Sequence, residues 1–215
     1  VEGGGVRRHG WSGDLPGDDD EAVRRILAAT RACIDRSGTD TSLAEVARRL
    51  GVTRQTIYRY FANTDELLVA TAFDAVDPFL DRIERHLSRR GGTPAEVVVE
   101  GVAFTLEQLP SEPYVGLLLS AERGSAVAGG ITSEHALALG RGFIERFPVD
   151  WPAAGFGPAD LDELVEQMLR TMQSFVMDAG TPRRTGAGLR DYLMRWLAPC
   201  ITVRADARRV PVPDG

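Results

Sequence analysis

The stretch "GVTRQTIYRYFANTDEL", residues 51–67, concentrates side chains that can hydrogen-bond to phosphates and to base edges. Arg54, Gln55, Thr56, Tyr58, Arg59 and Tyr60 fall on little more than two helical turns. Arg pairs bidentately with guanine and Gln with adenine, while Thr and Tyr hydroxyls reach phosphate oxygens. The same residue types also cover ordinary solvated helix faces. The flanking elements decide between these readings.

Those elements are punctuated by helix signals. Ser42-Leu-Ala-Glu45 is a capping box that opens a short helix with Leu43, Val46, Ala47 and Leu50 inward. Gly51 ends it, because glycine accepts the left-handed backbone of a sharp turn. Thr53 then caps a second short helix reaching about Tyr60, with Ile57 and Phe61 in the core. Helix, glycine turn and helix have the proportions of a helix-turn-helix, whose second helix enters the major groove. The expected DNA-binding set is Ser42, Thr53, Arg54, Gln55, Thr56, Tyr58, Arg59, Tyr60 and Thr64. Tyr58 and Tyr60 cannot share one helix face, so Tyr58 is expected outward and Tyr60 near phosphate.

Charge supports a local nucleic-acid face on an otherwise acidic chain. The formal net charge is −6 over 215 residues, which excludes a protein that coats nucleic acid non-specifically. Residues 21–70 carry eight Arg against six carboxylates, so the acidity lies elsewhere. All 25 basic residues are Arg. Cys33 and Cys200 sit far apart in apolar settings and are expected to be buried free thiols, which points to a reducing compartment. With no apolar run of about 20 residues and no signal-peptide pattern, the expected location is cytoplasmic.

Residues 1–20 are rich in Gly and Asp and are expected to form a flexible arm, with Arg7 and Arg8 able to reach a minor groove. Helical periodicity starts at Glu21 and persists to about residue 202, with no alternating strand pattern, so the fold class is all-α with about nine helices. A fourth helix from Asn63-Thr-Asp-Glu66 to Arg90 should kink or break near Asp77, ahead of Pro78. The expected divisions are an arm at 1–20, a helix-turn-helix domain at 21–66, a helical domain at 67–203 and a tail at 204–215. Two late helices carry wide apolar stripes that must be buried against something.

"SLAEVARRLGVTRQTIYRYFANTDELL" resembles the helix-turn-helix signature of the TetR (tetracycline repressor) family of transcriptional regulators. The Gly51-Val52 turn, Thr56-Ile57-Tyr58, Tyr60-Phe61 and Asn63-x-x-Glu66-Leu67 carry the match, which spans roughly residues 21–70. The resemblance implies a ligand-responsive repressor that binds a palindromic operator as a homodimer and is released by a small-molecule effector. It implies a dimer interface on the last two helices, where Leu161, Val165, Leu169, Leu189, Leu193, Trp196 and Leu197 are the candidates. The sequence departs from the family where basic residues often follow the Tyr-x-x-Phe segment. Ala62 and Thr64 stand there, implying a shallower salt dependence.

Phe104, Leu118, Phe143, Phe147, Trp151, Met168, Met172 and Phe175 are candidates to line a cavity for a hydrophobic effector, with Glu107, Glu122, Arg123 and His135 as possible polar anchors. Each aromatic or Met is equally an ordinary core residue. His9, His86 and His135 lack metal-ligand spacing, and no nucleophile elbow, P-loop or dinucleotide fingerprint occurs, so neither enzyme, metal nor cofactor is expected. A helical protein-interaction module that binds an acidic partner, without sequence-specific DNA binding, is the alternative.

Overall fold

The computed structural model describes residues 10–119 and 133–207, excepting the side chains of 135 and 203–207. Eleven α-helices and two short 3₁₀ turns account for the regular structure among them. The chain divides into two compact units, residues 1–75 and 76–215. Arg7, Arg8, Glu122 and Arg123, the His135 side chain and the tail beyond Ala207 lie outside what is described.

The first unit holds α1 (Asp19–Ser37), α2 (Leu43–Leu50), α3 (Arg54–Tyr58) and α4 (Thr64–Ala75). Its core joins Ala22, Ile26 and Cys33 of α1, Val46 of α2, Ile57 of α3, Phe61 of the α3–α4 connection and Leu67 of α4. Three expectations are corrected here. Residues 10–18 are not a free arm: Trp11 is buried in that core, and Ser12 Oγ donates to the Leu50 carbonyl at 3.3 Å. The chain enters α1 at Asp19 rather than Glu21, because Asp18 caps it by accepting from Glu21 N at 2.6 Å. The domain boundary also falls after Ala75 instead of after residue 66, since α4 packs on α1.

The second unit holds α5 (Asp77–Arg90), α6 (Pro94–Gln108), α7 (Pro113–Leu119), α8 (Glu134–Ile144), α9 (Pro158–Met177), α10 (Gly186–Trp196) and α11 (Ala198–Ala207). α6 is its central helix, buried on nearly all sides and packed against α5, α9, α10 and α11. A helix apolar all round is stable only in such a position.

The count exceeds the expected nine because prolines divide two helices. Pro78 lacks an N–H and settles in the first turn of a new helix, so the long fourth helix is α4 and α5 with Val76 between them. Pro199 likewise removes a donor from the last stripe, which splits at Leu197 into α10 and α11. α11 runs on to Ala207, past the expected start of the tail at 204. Cys33 is buried as expected, whereas Cys200 is exposed, on the outer face of α11. No helix among the described residues is long and apolar enough to cross a membrane.

Candidate nucleic-acid interface

α2 is nucleated by its reciprocal cap: Glu45 N donates to Ser42 Oγ at 3.4 Å, and Ser42 N donates to Glu45 Oε2 at 3.2 Å. Gly51 adopts φ +68, and Val52 N then reaches back to the Ala47 carbonyl at 3.0 Å. That closed turn fixes where α3 starts. Thr53 caps α3 by accepting from Thr56 N at 3.1 Å, and its Oγ1 lies 2.9 Å from Thr56 Oγ1. Ile57, fully buried, and Phe61 pin the helix from beneath.

With one face pinned, the other is presented. Thr53, Arg54, Gln55, Tyr58 and Arg59 are exposed, Thr56 is half-buried, and Tyr58 stands 52% exposed. Arg54 and Gln55 have no side-chain hydrogen bond or ion pair among the described residues, so their donors are available. Ser42 sits at the start of α2 and is committed to its cap. Thr64 opens α4, where Asn63 Oδ1 accepts from Glu66 N at 2.8 Å and Glu66 Oε2 accepts from Ala62 N at 2.6 Å. Arg48 makes only a loose 3.9 Å contact with Glu45 and is well exposed, as is Arg49.

Arg59 and Tyr60 are held differently. Asp19 Oδ1 accepts from Arg59 Nη2 at 2.7 Å and from Tyr60 Oη at 2.9 Å, and Arg59 also bonds Tyr60 Oη. The Arg59 guanidinium lies over the Tyr60 ring, 4.7 Å from its centroid. The Tyr60 and Arg59 hydrogen bonds hold the Asp19 carboxyl below its ordinary value, while Asp19 raises Arg59 and burial raises Tyr60. This partnership of Asp19 with two candidate residues is not legible in the sequence, since Asp19 lies in a "GDDD" run that looks like a polar arm. Gly17-Asp18 followed by Glu21 is, however, a helix-start signal.

In the second unit the eight candidate cavity residues all belong to its core or pack on it, and of them only Phe175 lines the cavity between the end of α6 and the α9–α10 connection. Phe143 meets Phe147 edge-on at 4.9 Å, and Trp151 packs on Phe156 at 5.5 Å with its Nε1 donating to the Ile144 carbonyl. These aromatics are filling space. The cavity, of about 550 Å³, is lined by Leu106, Glu107, Leu109, Pro110, Gly116, Phe175, Val176, Ala179, Arg183, Arg184, Thr185 and Leu189. Among the expected interface residues, Leu161, Val165, Leu189, Leu193 and Leu197 are each 5% exposed or less and belong to the subunit's own core. They are therefore unavailable to a partner. Leu169 is half-buried, and Trp196 is 69% exposed. No group of three or more His, Cys, Asp or Glu suited to a metal occurs among the described residues.

A small helical unit that presents the free face of a capped, glycine-preceded helix defines a helix-turn-helix DNA-binding regulator. Residues 26–71 match the family described as bacterial regulatory proteins, tetR family. The HTH-type transcriptional repressor Rv3405c of Mycobacterium tuberculosis (strain ATCC 25618 / H37Rv) is 30% identical over 165 residues, covering 70% of this chain and 86% of that protein. A second relative from that strain, the uncharacterized HTH-type transcriptional regulator Rv1255c, is 26% identical over 199 residues, or 87% of this chain and 89% of that protein. The chain belongs to the TetR family of transcriptional regulators. Its fold is that of the TetR family repressor AlkX from Dietzia sp. strain DQ12-45-1b, with a TM-score of 0.57 at 18% identity over 85% of this chain and 96% of that one. RolR without ligand gives a TM-score of 0.51 at 17% identity over 89% and 98%.

Proposed function

We propose that this regulator is a repressor that reads a palindromic operator through α3, with Arg54, Gln55 and Thr56 at base edges and Tyr58, Arg59 and Tyr60 at phosphates. Ser42, Thr53 and Thr64 sit at helix starts, where backbone N–H groups favour phosphate oxygens. The observation that carries the reading is the contrast along α3: Ile57 is wholly buried while Arg54 and Gln55 are exposed with uncommitted donors. The protein acts as a homodimer, because a palindrome is matched by a two-fold pair of heads about 34–36 Å apart. It works by binding and not by catalysis. The effector seats in the cavity between the end of α6 and the α9–α10 connection, whose volume of about 550 Å³ falls in the size range of small-molecule sites. Its lining suits a ligand with an apolar body.

Selection of a randomised duplex library at about 0.1 M salt tests the operator reading. One palindrome is expected to be enriched. Arg54→Ala and Gln55→Ala should each cost about 1–3 kcal/mol and relax preference at one position per half-site. Retention without sequence preference, abolished by salt, would sink the reading in favour of an interaction module. Leu106→Trp, which fills the cavity, should leave operator binding intact and abolish its release by an effector.

A further inference from the structure

Asp19 is the first residue of α1, yet it plays no part in capping that helix. Asp18 caps it, and Glu21 is engaged by Gly17 N at 2.7 Å and by Arg25. The Asp19 carboxylate turns instead to the end of α3, where a single oxygen accepts from both Arg59 and Tyr60. One oxygen taking a guanidinium N–H and a phenol O–H is the arrangement a backbone phosphate would form with the same pair. The pair is pre-shaped for it, since Tyr60 is partly buried in the first core and carries the Arg59 guanidinium over its ring. The place is also open, with the Arg59 and Asp19 side chains 66% and 76% exposed.

We propose that Asp19 is an intramolecular stand-in for a DNA phosphate, occupying Arg59 and Tyr60 in the free protein and displaced when the operator backbone arrives. The inference rests on the operator reading above. An exposed ion pair contributes little to folding stability, so its effect falls on binding. Each subunit must give up the Asp19 contact before Arg59 neutralises a phosphate, and the released carboxylate then stays beside DNA. Asp19 thereby lowers affinity and flattens its salt dependence, adding to the missing basic residues at Ala62 and Thr64.

The test uses full-length protein and the duplex enriched from the random library, with affinity measured between about 50 and 200 mM salt. Arg59→Ala should weaken binding. Asp19→Asn should tighten it on the order of tenfold and steepen the slope of log affinity against log salt by nearly two for a dimer. Asp20→Asn, which removes a neighbouring carboxylate without a cation partner among the described residues, should change affinity far less. In an Arg59→Ala background, Asp19→Asn should do no more than Asp20→Asn. Equal effects of Asp19→Asn and Asp20→Asn would reduce the role to general acidity and overturn the proposal. Weaker binding by Asp19→Asn would make the carboxylate an orienting group, and overturn it too. Unchanged affinity in Arg59→Ala would remove Arg59 from the interface and the proposal with it. Loss in Arg59→Ala without gain in Asp19→Asn would defeat the stand-in role alone. Matching thermal melting curves for the Asn variants establish that folding is not the cause.

Discussion

Gly51 is required twice over. Its φ of +68 is a conformation that costs other residues about 1–2 kcal/mol. A Cβ there would also lie 3.0 Å from Ser12 Oγ and 3.2 Å from Ser12 N. The segment that crowds it is held by Trp11, which is 9% exposed in the first core. Trp11→Ala should cost the first unit about 3 kcal/mol, and Gly51→Ala about 1–3, both as lower urea midpoints with unchanged slopes. A Trp11→Ala midpoint within error of wild type would show that the segment is not part of the folded unit. At this scale the local signals were legible. Ser42 with Glu45, Gly51 and Thr53 all carry their partners within four residues. Trp11 was not, because a lone aromatic in a Gly/Asp-rich run has no period, and its partners are brought together only by folding.

Between elements, the main polar feature is a charge cluster joining α5, α6 and α10. Glu100 of α6, 4% exposed, accepts from Arg190 Nε and Nη2 at 2.8 Å each, lies 2.7 Å from His86 Nε2 and 3.5 Å from Arg90 Nε. Arg190 also pairs with Glu107 at 2.8 Å. Burial alone would raise the Glu100 carboxyl. The hydrogen bonds from Arg190 and His86, with the charges of Arg190 and Arg90, outweigh it and bring the group down to about 2. Arg190→Met leaves that carboxylate buried beside weaker partners, and should cost the second unit about 3–5 kcal/mol. Because the folded value lies below the ordinary 4.5, Glu100 stabilises fully above that pH and loses its contribution as pH falls from 4.5 towards 2. The stability gap between wild type and Glu100→Gln should thus be widest near neutrality and close across that window. A pH-independent gap in chemical denaturation would contradict the ionised assignment. The sequence held half of this signal, a carboxylate inside "VVVEGVAF", where only a paired charge is tolerated. Its partner lies 90 residues away, and no local pattern links the two. The proline breaks were legible in kind. Pro78 was marked in advance, while Pro199 was masked by a stripe that continues through it.

For the whole molecule, the homodimer proposed above raises the question of which apolar surface a second copy covers. The stripes on α9 and α10 were visible in sequence, but a wide stripe can face the chain's own core on one side and a partner on the other, and the two sides have the same composition. Burial separates them. Leu189 and Leu193 face inward, and Met177, Met194 and Trp196 are left 69%, 40% and 69% exposed. Of these, Trp belongs to the residue types that most often dominate an interface when a partner covers them. Trp196→Arg should therefore weaken dimerisation by at least about 2 kcal/mol, or some thirtyfold, read as a monomer fraction in sedimentation equilibrium. Its thermal melting measured at high protein concentration should change little, because the side chain has few contacts within the subunit. The consequence for DNA follows from geometry. Each chain carries one reading head, so a monomer engages one half-site and releases about half the counterions. Affinity for the palindrome should fall to that for an isolated half-site, with the salt slope roughly halved. If Trp196→Arg stays dimeric and binds the palindrome as wild type does, the second copy sits on another face, and the exposed end of α10 is not where the two chains meet.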